Sequence, residues 1–314
     1  MATAQTKAST PSAPGTAATD TPDTDFEGAK FMNAISFPSP LATDCHTHVA
    51  GDRGRYPMVS PRAYTPQVAS PDDMRAMMKR VGTERIVLVQ MSVFGTDNSC
   101  MLDGIKALGS CARGVAQIDE GTSDADLDAM HAIGVRGIRV NLNTPGLTDP
   151  DLARHRLDLA TRKCARNGWH LQLFTTPAVI TSIADQLRGL PVPVVLDHFG
   201  LLPVHARGGD GEKVVRDLLS SGKGWVKISG TYRLDDPMAK AEIRALAHDL
   251  YATNPNNIVW GSDWPHAPHH NNVAQANPAP MPFQNIDPRA MLATIAEWFE
   301  APEDRHRILV ANPA

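Results

Sequence analysis

From residue 40 to the C-terminus, short runs of apolar, often β-branched residues alternate with longer stretches in which apolar positions recur every three or four residues. The first pattern predicts strands and the second amphipathic helices. Strand-like runs cover 41–48, 85–92, 112–118, 135–142, 169–175, 192–198, 224–230 and 257–263. Helical patterns cover 71–81, 97–109, 123–133, 150–167, 177–188, 211–221, 237–252 and 287–300. The punctuation agrees: Pro71-Asp72, Ser123-Asp124 and Asp149-Pro150 read as helix starts, and Gly82, Gly134 and Gly168 as stops. Eight strands each followed by a helix predict an α/β fold, a single (β/α)8 TIM barrel. A doubly wound open sheet is the alternative, but no Gly-x-Gly-x-x-Gly follows the first strand.

Residues 1–34 break the pattern, being rich in Ala, Thr, Pro, Ser and Asp with few large apolar groups. Such a segment buries too little surface to offset its ordering entropy, so a disordered N-terminal extension is expected, with the barrel domain spanning 35–314. The 314-residue chain carries a formal charge of −4 and no Lys/Arg cluster interleaved with aromatics, which argues against nucleic acid as a partner. No apolar run reaches membrane-spanning length, and no signal-like start is present. Four cysteines without a C-x-x-C pair are too sparse for a disulfide framework, so a cytoplasmic protein with reduced thiols is expected. A homo-oligomer is left open.

In a parallel barrel the chemistry sits at the C-terminal strand ends. The first run ends Asp44-Cys45-His46-Thr47-His48, and strand parity turns both imidazoles the same way. Such a pair can bind one divalent metal or donate to a carbonyl oxygen that is gaining charge, although His-x-His alone is a weak signal. The other ends contribute Gln90 and Ser92; Arg139, Asn141 and Asn143; Asp197 and His198; Ser229, Thr231, Tyr232 and Arg233; and Asp263 and His266. These are types used for acid-base work and for holding anions, whereas merely solvated ends would carry a mix of Lys and Glu. Lys227 falls deeper inside and reads equally as a paired core charge or as a catalytic group. His170 begins its strand and so belongs to the far, structural end.

His-x-His closing strand 1, a His closing strand 6 and an Asp closing strand 8 resemble the amidohydrolase superfamily. More narrowly, Asp44–His48, Tyr64-Thr65-Pro66, Leu196-Asp197-His198-Phe199-Gly200 and Trp260-Gly261-Ser262-Asp263-Trp264-Pro265-His266 resemble its amidohydrolase-2 branch, which holds lactonases for pyrone dicarboxylates, sulfomuconolactones and sugar lactones. The resemblance covers about 38–312 and implies a barrel of amidohydrolase type. It implies Asp263 as the base for water, with His46, His48 and His198 polarising the lactone carbonyl. It also implies that Tyr64, Ser92, Arg139 and Arg233 hold the substrate's ring oxygens and carboxylate. Two departures stand out: the pyrone lactonase pattern has a second arginine where this chain reads Asn143-Thr144-Pro145, and an aromatic hydroxyl where it has Phe174. Losing a guanidinium removes a bidentate clamp, which favours a muconolactone-like substrate such as 4-sulfomuconolactone, bearing one carboxylate and another acidic group.

The residues alone support the same chemistry. Asp263 takes a proton from water, hydroxide attacks the carbonyl, and His46, His48, His198 or a metal holds the oxyanion. Arg139 and Arg233 pin the carboxylate, and Asp263 or His266 protonates the leaving alkoxide. Strand 5 ends Leu173-Phe174-Thr175-Thr176 and offers no further ligand. At most one divalent ion, zinc or manganese, is therefore expected, on His46, His48 and Asp263 with His198 nearby, and a metal-free site is the open alternative. The expected partner is a small anionic lactone from aromatic-compound catabolism. A sugar-lactone hydrolase or isomerase, a zinc-dependent decarboxylase and a non-catalytic anion-binding barrel are the alternatives. The Pro/Asn-rich stretch 267–286, which contains His269 and His270, reads as a lid, a surface loop or an oligomer contact.

Overall fold

The computed structural model of the chain describes residues 1–2, 40–268 and 274–314. All but the first two residues of the extension expected over 1–34, and the pair His269-His270, therefore lie outside the described residues. Pro38–Ala314 forms the compact unit that carries the fold. Its core is an eight-stranded all-parallel sheet in sequential order: β1 (Thr43–Thr47), β2 (Arg85–Val89), β3 (Ala112–Ala116), β4 (Val135–Asn141), β5 (His170–Phe174), β6 (Val194–Leu196), β7 (Gly224–Ser229) and β8 (Ile258–Gly261). Every expected strand is present.

The helices start and stop where their caps dictate. Ser70 and Ser123 each form a capping box, with Asp73 and Asp126, at the heads of α1 (Pro71–Val81) and α3 (Asp124–Ile133), which flank α2 (Ser99–Leu108). Asp149 caps α4 (Pro150–Asn167), and Gly82 and Gly168 end α1 and α4 in the left-handed conformation. The helix expected over 177–188 is broken into Pro177–Ser182 and Ala184–Gly189 at Ile183. There the Ser182 hydroxyl donates to the Val179 carbonyl, a local bond that competes with a continuing helix.

Closure of the barrel creates the site. Past β8 the chain runs against β1, with the Asp263 amide donating to the His46 carbonyl at 2.8 Å and the His48 amide donating to the Trp264 carbonyl at 2.8 Å. The approach is close enough that a Cβ on Gly261 would lie 2.6 Å from the His46 Cβ and 2.8 Å from its backbone nitrogen. Gly261→Ala is accordingly expected to force the first and last strands apart. Circular dichroism should stay near native while thermal stability falls by about 2 kcal/mol; an unchanged melting temperature would show that closure tolerates a side chain there.

The stretch after β8 does more than form a loose loop. Pro280–Met281 pairs in parallel with Thr65–Pro66, and Gln275 bridges Arg62. Arg62 donates to Thr65 Oγ1 (2.9 Å), the Val59 carbonyl (3.1 Å) and Asn277 Oδ1 (2.6 Å), while Thr65 Oγ1 donates to the Pro278 carbonyl (2.6 Å). These bonds fasten the C-terminal segment to the loop that carries Tyr64. Two-residue strands are too short to announce themselves by periodicity.

Candidate active site

Three imidazoles converge on one carboxylate at the mouth of the barrel. The Nε2 atoms of His46 and His48 lie 3.7 and 3.3 Å from Asp263 Oδ1, and His198 Nε2 lies 3.8 Å from Oδ2. All four residues are buried, with Asp263 and His46 at 0% exposure. His46 and His48 get there by strand parity, as expected. His198 and Asp263 get there differently, since both leave the extended conformation for positive φ, 49° and 62°. His198 is further admitted by Gly230, where a Cβ would sit 2.7 Å from its Nδ1.

Each ring is fixed from behind. His48 Nδ1 lies 2.7 Å from the Val89 carbonyl, which can only accept, so that nitrogen carries the proton and Nε2 faces Asp263. His198 Nδ1 pairs with the Ser229 hydroxyl at 2.9 Å. His46 Nδ1 lies 3.2 Å from Asp197 Oδ1 and 3.3 Å from Lys227 Nζ. Burial pushes His46 well below the usual imidazole range, against the pull of Asp197, and pushes His198 down to about 4.

Asp263 has a second set of neighbours. Arg233 Nε is 2.5 Å from its Oδ2, and the Tyr232 hydroxyl donates to the same oxygen at 2.6 Å. Burial alone would raise this carboxyl, but the Arg233 guanidinium, followed by the facing imidazoles, holds it well below the usual carboxylate range. His266, joined through its amide to the Asp263 carbonyl, stands edge-on to Tyr232 with ring centroids 5.7 Å apart. Both its ring nitrogens are buried without a hydrogen-bond partner among the described residues, and burial lowers it to about 4.

Beneath the imidazoles lies a charged layer that sequence reading reached only in part. Asp197 is its centre: Arg139 Nη2 (3.2 Å) and Gln172 Nε2 (3.1 Å) meet its Oδ2, and Lys227 Nζ (3.4 Å) its Oδ1. Lys227 also donates to Gln172 Oε1 at 2.7 Å, so it is a paired charge within the barrel. Parity was the available signal, because alternation turns Arg139, Gln172, Asp197 and Lys227 toward the axis. Asp197 and Tyr232 are legible as polar residues at strand ends, but their partners, Arg139 and Lys227 for the one and Asp263 for the other, are not.

The residues expected to hold an anion lie close to one another. Tyr64 is buried with the Ser92 hydroxyl as a hydrogen-bond partner, and burial raises its phenol. Arg139 and Arg233, expected to pin a substrate carboxylate, each face an internal one, Asp197 and Asp263. Their Cζ atoms lie over the same Phe174 ring, at 5.2 and 6.0 Å from its centroid. A hollow of about 600 Å³ beside β4 and α4 is lined by Arg139 and Asn141 but by none of the four convergent residues, so size alone would misplace the chemistry.

The donor set suits one cation. His46 Nε2 and Asp263 Oδ1 are buried and lack a hydrogen-bond partner among the described residues, which fits a shared ion between nitrogen and oxygen ligands. The ligand atoms that all lie within 4.8 Å of one another belong to His46, His198 and Asp263. The expected set named His48 in place of His198. His48 stays beside that set: its Nε2 lies 3.3 Å from Asp263 Oδ1, and its Nδ1–H, held by the Val89 carbonyl, leaves Nε2 free to ligate.

Three further histidines among the described residues behave as packing or surface groups. His131 accepts the indole N–H of Trp169 at 2.9 Å, and His155 and His205 pair with Glu120 and Asp236 at the surface. No helix among the described residues is long and apolar enough to cross a membrane.

Comparison with known proteins agrees with this architecture. The sequence model of the amidohydrolase family matches residues 43–314. A 4-sulfomuconolactone hydrolase from Rhizobium radiobacter is 30% identical over 288 residues, covering 89% of this chain and 91% of that protein. A 2-pyrone-4,6-dicarboxylate hydrolase from Comamonas testosteroni is 32% identical over 237 residues, covering 72% and 77%. Among solved structures, a candidate 2-pyrone-4,6-dicarboxylic acid hydrolase from Pseudomonas putida superposes with a TM-score of 0.74 at 28% identity, covering 88% of this chain and 97% of that one. An amidohydrolase from Burkholderia multivorans with bound zinc shares the fold at a TM-score of 0.61 and 17% identity, covering 87% and 98%. The family model spans the whole barrel, from the first strand to the C-terminus, and the chain belongs to the amidohydrolase family.

Proposed function

We propose that the chain opens an anionic, muconolactone-like lactone by hydrolysis, as part of aromatic-compound breakdown. The observation that carries this reading is the convergence of three buried imidazoles on Asp263, with two guanidiniums beside them. The names of the relatives, lactone hydrolases over most of the chain, support it.

In this reading Asp263 removes a proton from water and the imidazole face stabilises the oxyanion. Arg233 restrains Asp263 as a base in the free enzyme. A substrate carboxylate that competes for Arg233 returns basicity to Asp263 where the water is attacked, so binding and activation are linked through one guanidinium. Tyr64 and Ser92 supply neutral hydrogen bonds to the ring oxygens, and His266 or protonated Asp263 delivers the proton to the leaving alkoxide. A zinc or manganese ion held by His46, His198 and Asp263 would supply Lewis-acid polarisation of the carbonyl.

The test is hydrolysis of a panel containing muconolactones, a pyrone carboxylate and sugar 1,4- and 1,5-lactones, on protein of known metal content before and after chelation. Turnover of muconolactone-type compounds is expected. Failure with every lactone, with tightly bound zinc present, would move the assignment to a decarboxylase. A sugar-lactone reading has one specific support, a D-galactarolactone isomerase from Agrobacterium fabrum that is 26% identical over 245 residues; selective turnover of the sugar lactones would favour it.

A further inference from the structure

Two consecutive residues reach the same oxygen of Asp263. Just past β7, Gly230 adopts the left-handed conformation at φ 55°, and the Arg233 amide donates to its carbonyl at 2.9 Å, so Thr231–Arg233 forms a single tight turn. The turn presents the Tyr232 hydroxyl at 2.6 Å and Arg233 Nε at 2.5 Å, both to Oδ2. Oδ1 is left without a hydrogen-bond partner among the described residues. It is this oxygen that lies 3.3 and 3.7 Å from the Nε2 atoms of His48 and His46. The carboxylate is thus divided between a held oxygen and an open one.

A guanidinium beside a carboxylate commonly takes both oxygens through two parallel N–H bonds. Here one bond, from Nε to Oδ2, joins the pair. Rotation about the Cβ–Cγ bond of Asp263 would offer Oδ1 to the same fork and withdraw it from the imidazoles. The Tyr232 hydroxyl opposes that rotation, because its own short bond is lost when Oδ2 moves. Its ring is anchored independently of the hydroxyl. It stands edge-on to His266 with centroids 5.7 Å apart, and the Arg233 Cζ lies over its face at 5.0 Å.

We infer that Tyr232 is a positioning residue for the base: it holds Asp263 Oδ2, keeps the Arg233 contact one-sided and leaves Oδ1 as the oxygen that meets the water. This rests on the base role of Asp263 in the lactonase reading and deepens it. When a substrate carboxylate draws Arg233 away, Tyr232 is the donor that remains on Oδ2 and keeps the base aimed.

The experiment places Tyr232→Phe in the full chain at known metal content. The ring and its two neighbours are retained, so native circular dichroism is expected. With the preferred lactone of the panel, kcat is expected to fall by about 10²-fold while KM stays within about twofold, because the base loses its aim and the groups that hold the substrate are untouched. A crystal structure of the variant is expected to show the carboxylate turned, with both oxygens on the Arg233 guanidinium and Oδ1 withdrawn from His48. An unchanged kcat, or a rise in KM alone, would overturn the inference while leaving lactone hydrolysis standing, and so would a carboxylate in its native orientation. If the native protein opens no lactone, the lactonase reading fails and the crystal structure decides alone: a turned carboxylate sustains the positioning role, and an unturned one removes it.

Discussion

Asp263→Asn is expected to lower kcat/KM for the preferred lactone by about 10³-fold or more, because the amide cannot take the proton from water. The fold should survive the change. Residue 263 sits at φ 62°, a conformation that Asn adopts more readily than most residues. The backbone bond from residue 263 to the His46 carbonyl does not depend on the side chain. The amide oxygen can still accept from Tyr232, and Arg233, with 18% of its side chain exposed, can turn toward water. A variant with native circular dichroism and more than about a tenth of the activity would move the base to another group.

Asp197→Asn should act on the fold first. It removes the one carboxylate between Arg139 and Lys227, leaving two buried cations with only neutral partners nearby. Breaking a buried ion pair from one side costs about 3–5 kcal/mol, which for a domain of this size lowers the melting temperature by roughly 10 °C. Adding Lys227→Met should recover part of the loss, since the second change removes one of the stranded charges. A single variant that melts within a degree or two of the native protein would show that the layer is not an interdependent unit.

These two aspartates also show how far the sequence could be read. Apolar runs of four to eight residues between helix caps suffice to count eight strands, and parity suffices to aim His46 and His48 at one point. The same rule carried to strand 6 aims Asp197 inward and should turn His198 away. His198 enters because the backbone switches to positive φ just past Leu196, as it does again at Asp263. Local switches of this kind depend on tertiary contacts, such as the space left by Gly230, and leave no periodic trace. The pairing of Arg233 with Asp263 was hidden for a related reason: parity gives the direction of a side chain and not the partner it meets. The segment after β8 was visible as something unusual, through its length and composition, while its bonds to Arg62 and Thr65 join residues more than 200 positions apart.

Closure of the barrel has a consequence for assembly during synthesis. His46 lies on the first strand to emerge and Asp263 beyond the last, so a chain with seven strands made has its imidazoles in place and no carboxylate opposite them. Tyr64 likewise waits for residues 275–281 to fasten its loop. Secondary structure can form early from local contacts, but these partners meet only when the two ends of the sheet join. A partly folded chain thus has no carboxylate facing its imidazoles, and the assembled site marks the moment at which the ring of strands has closed.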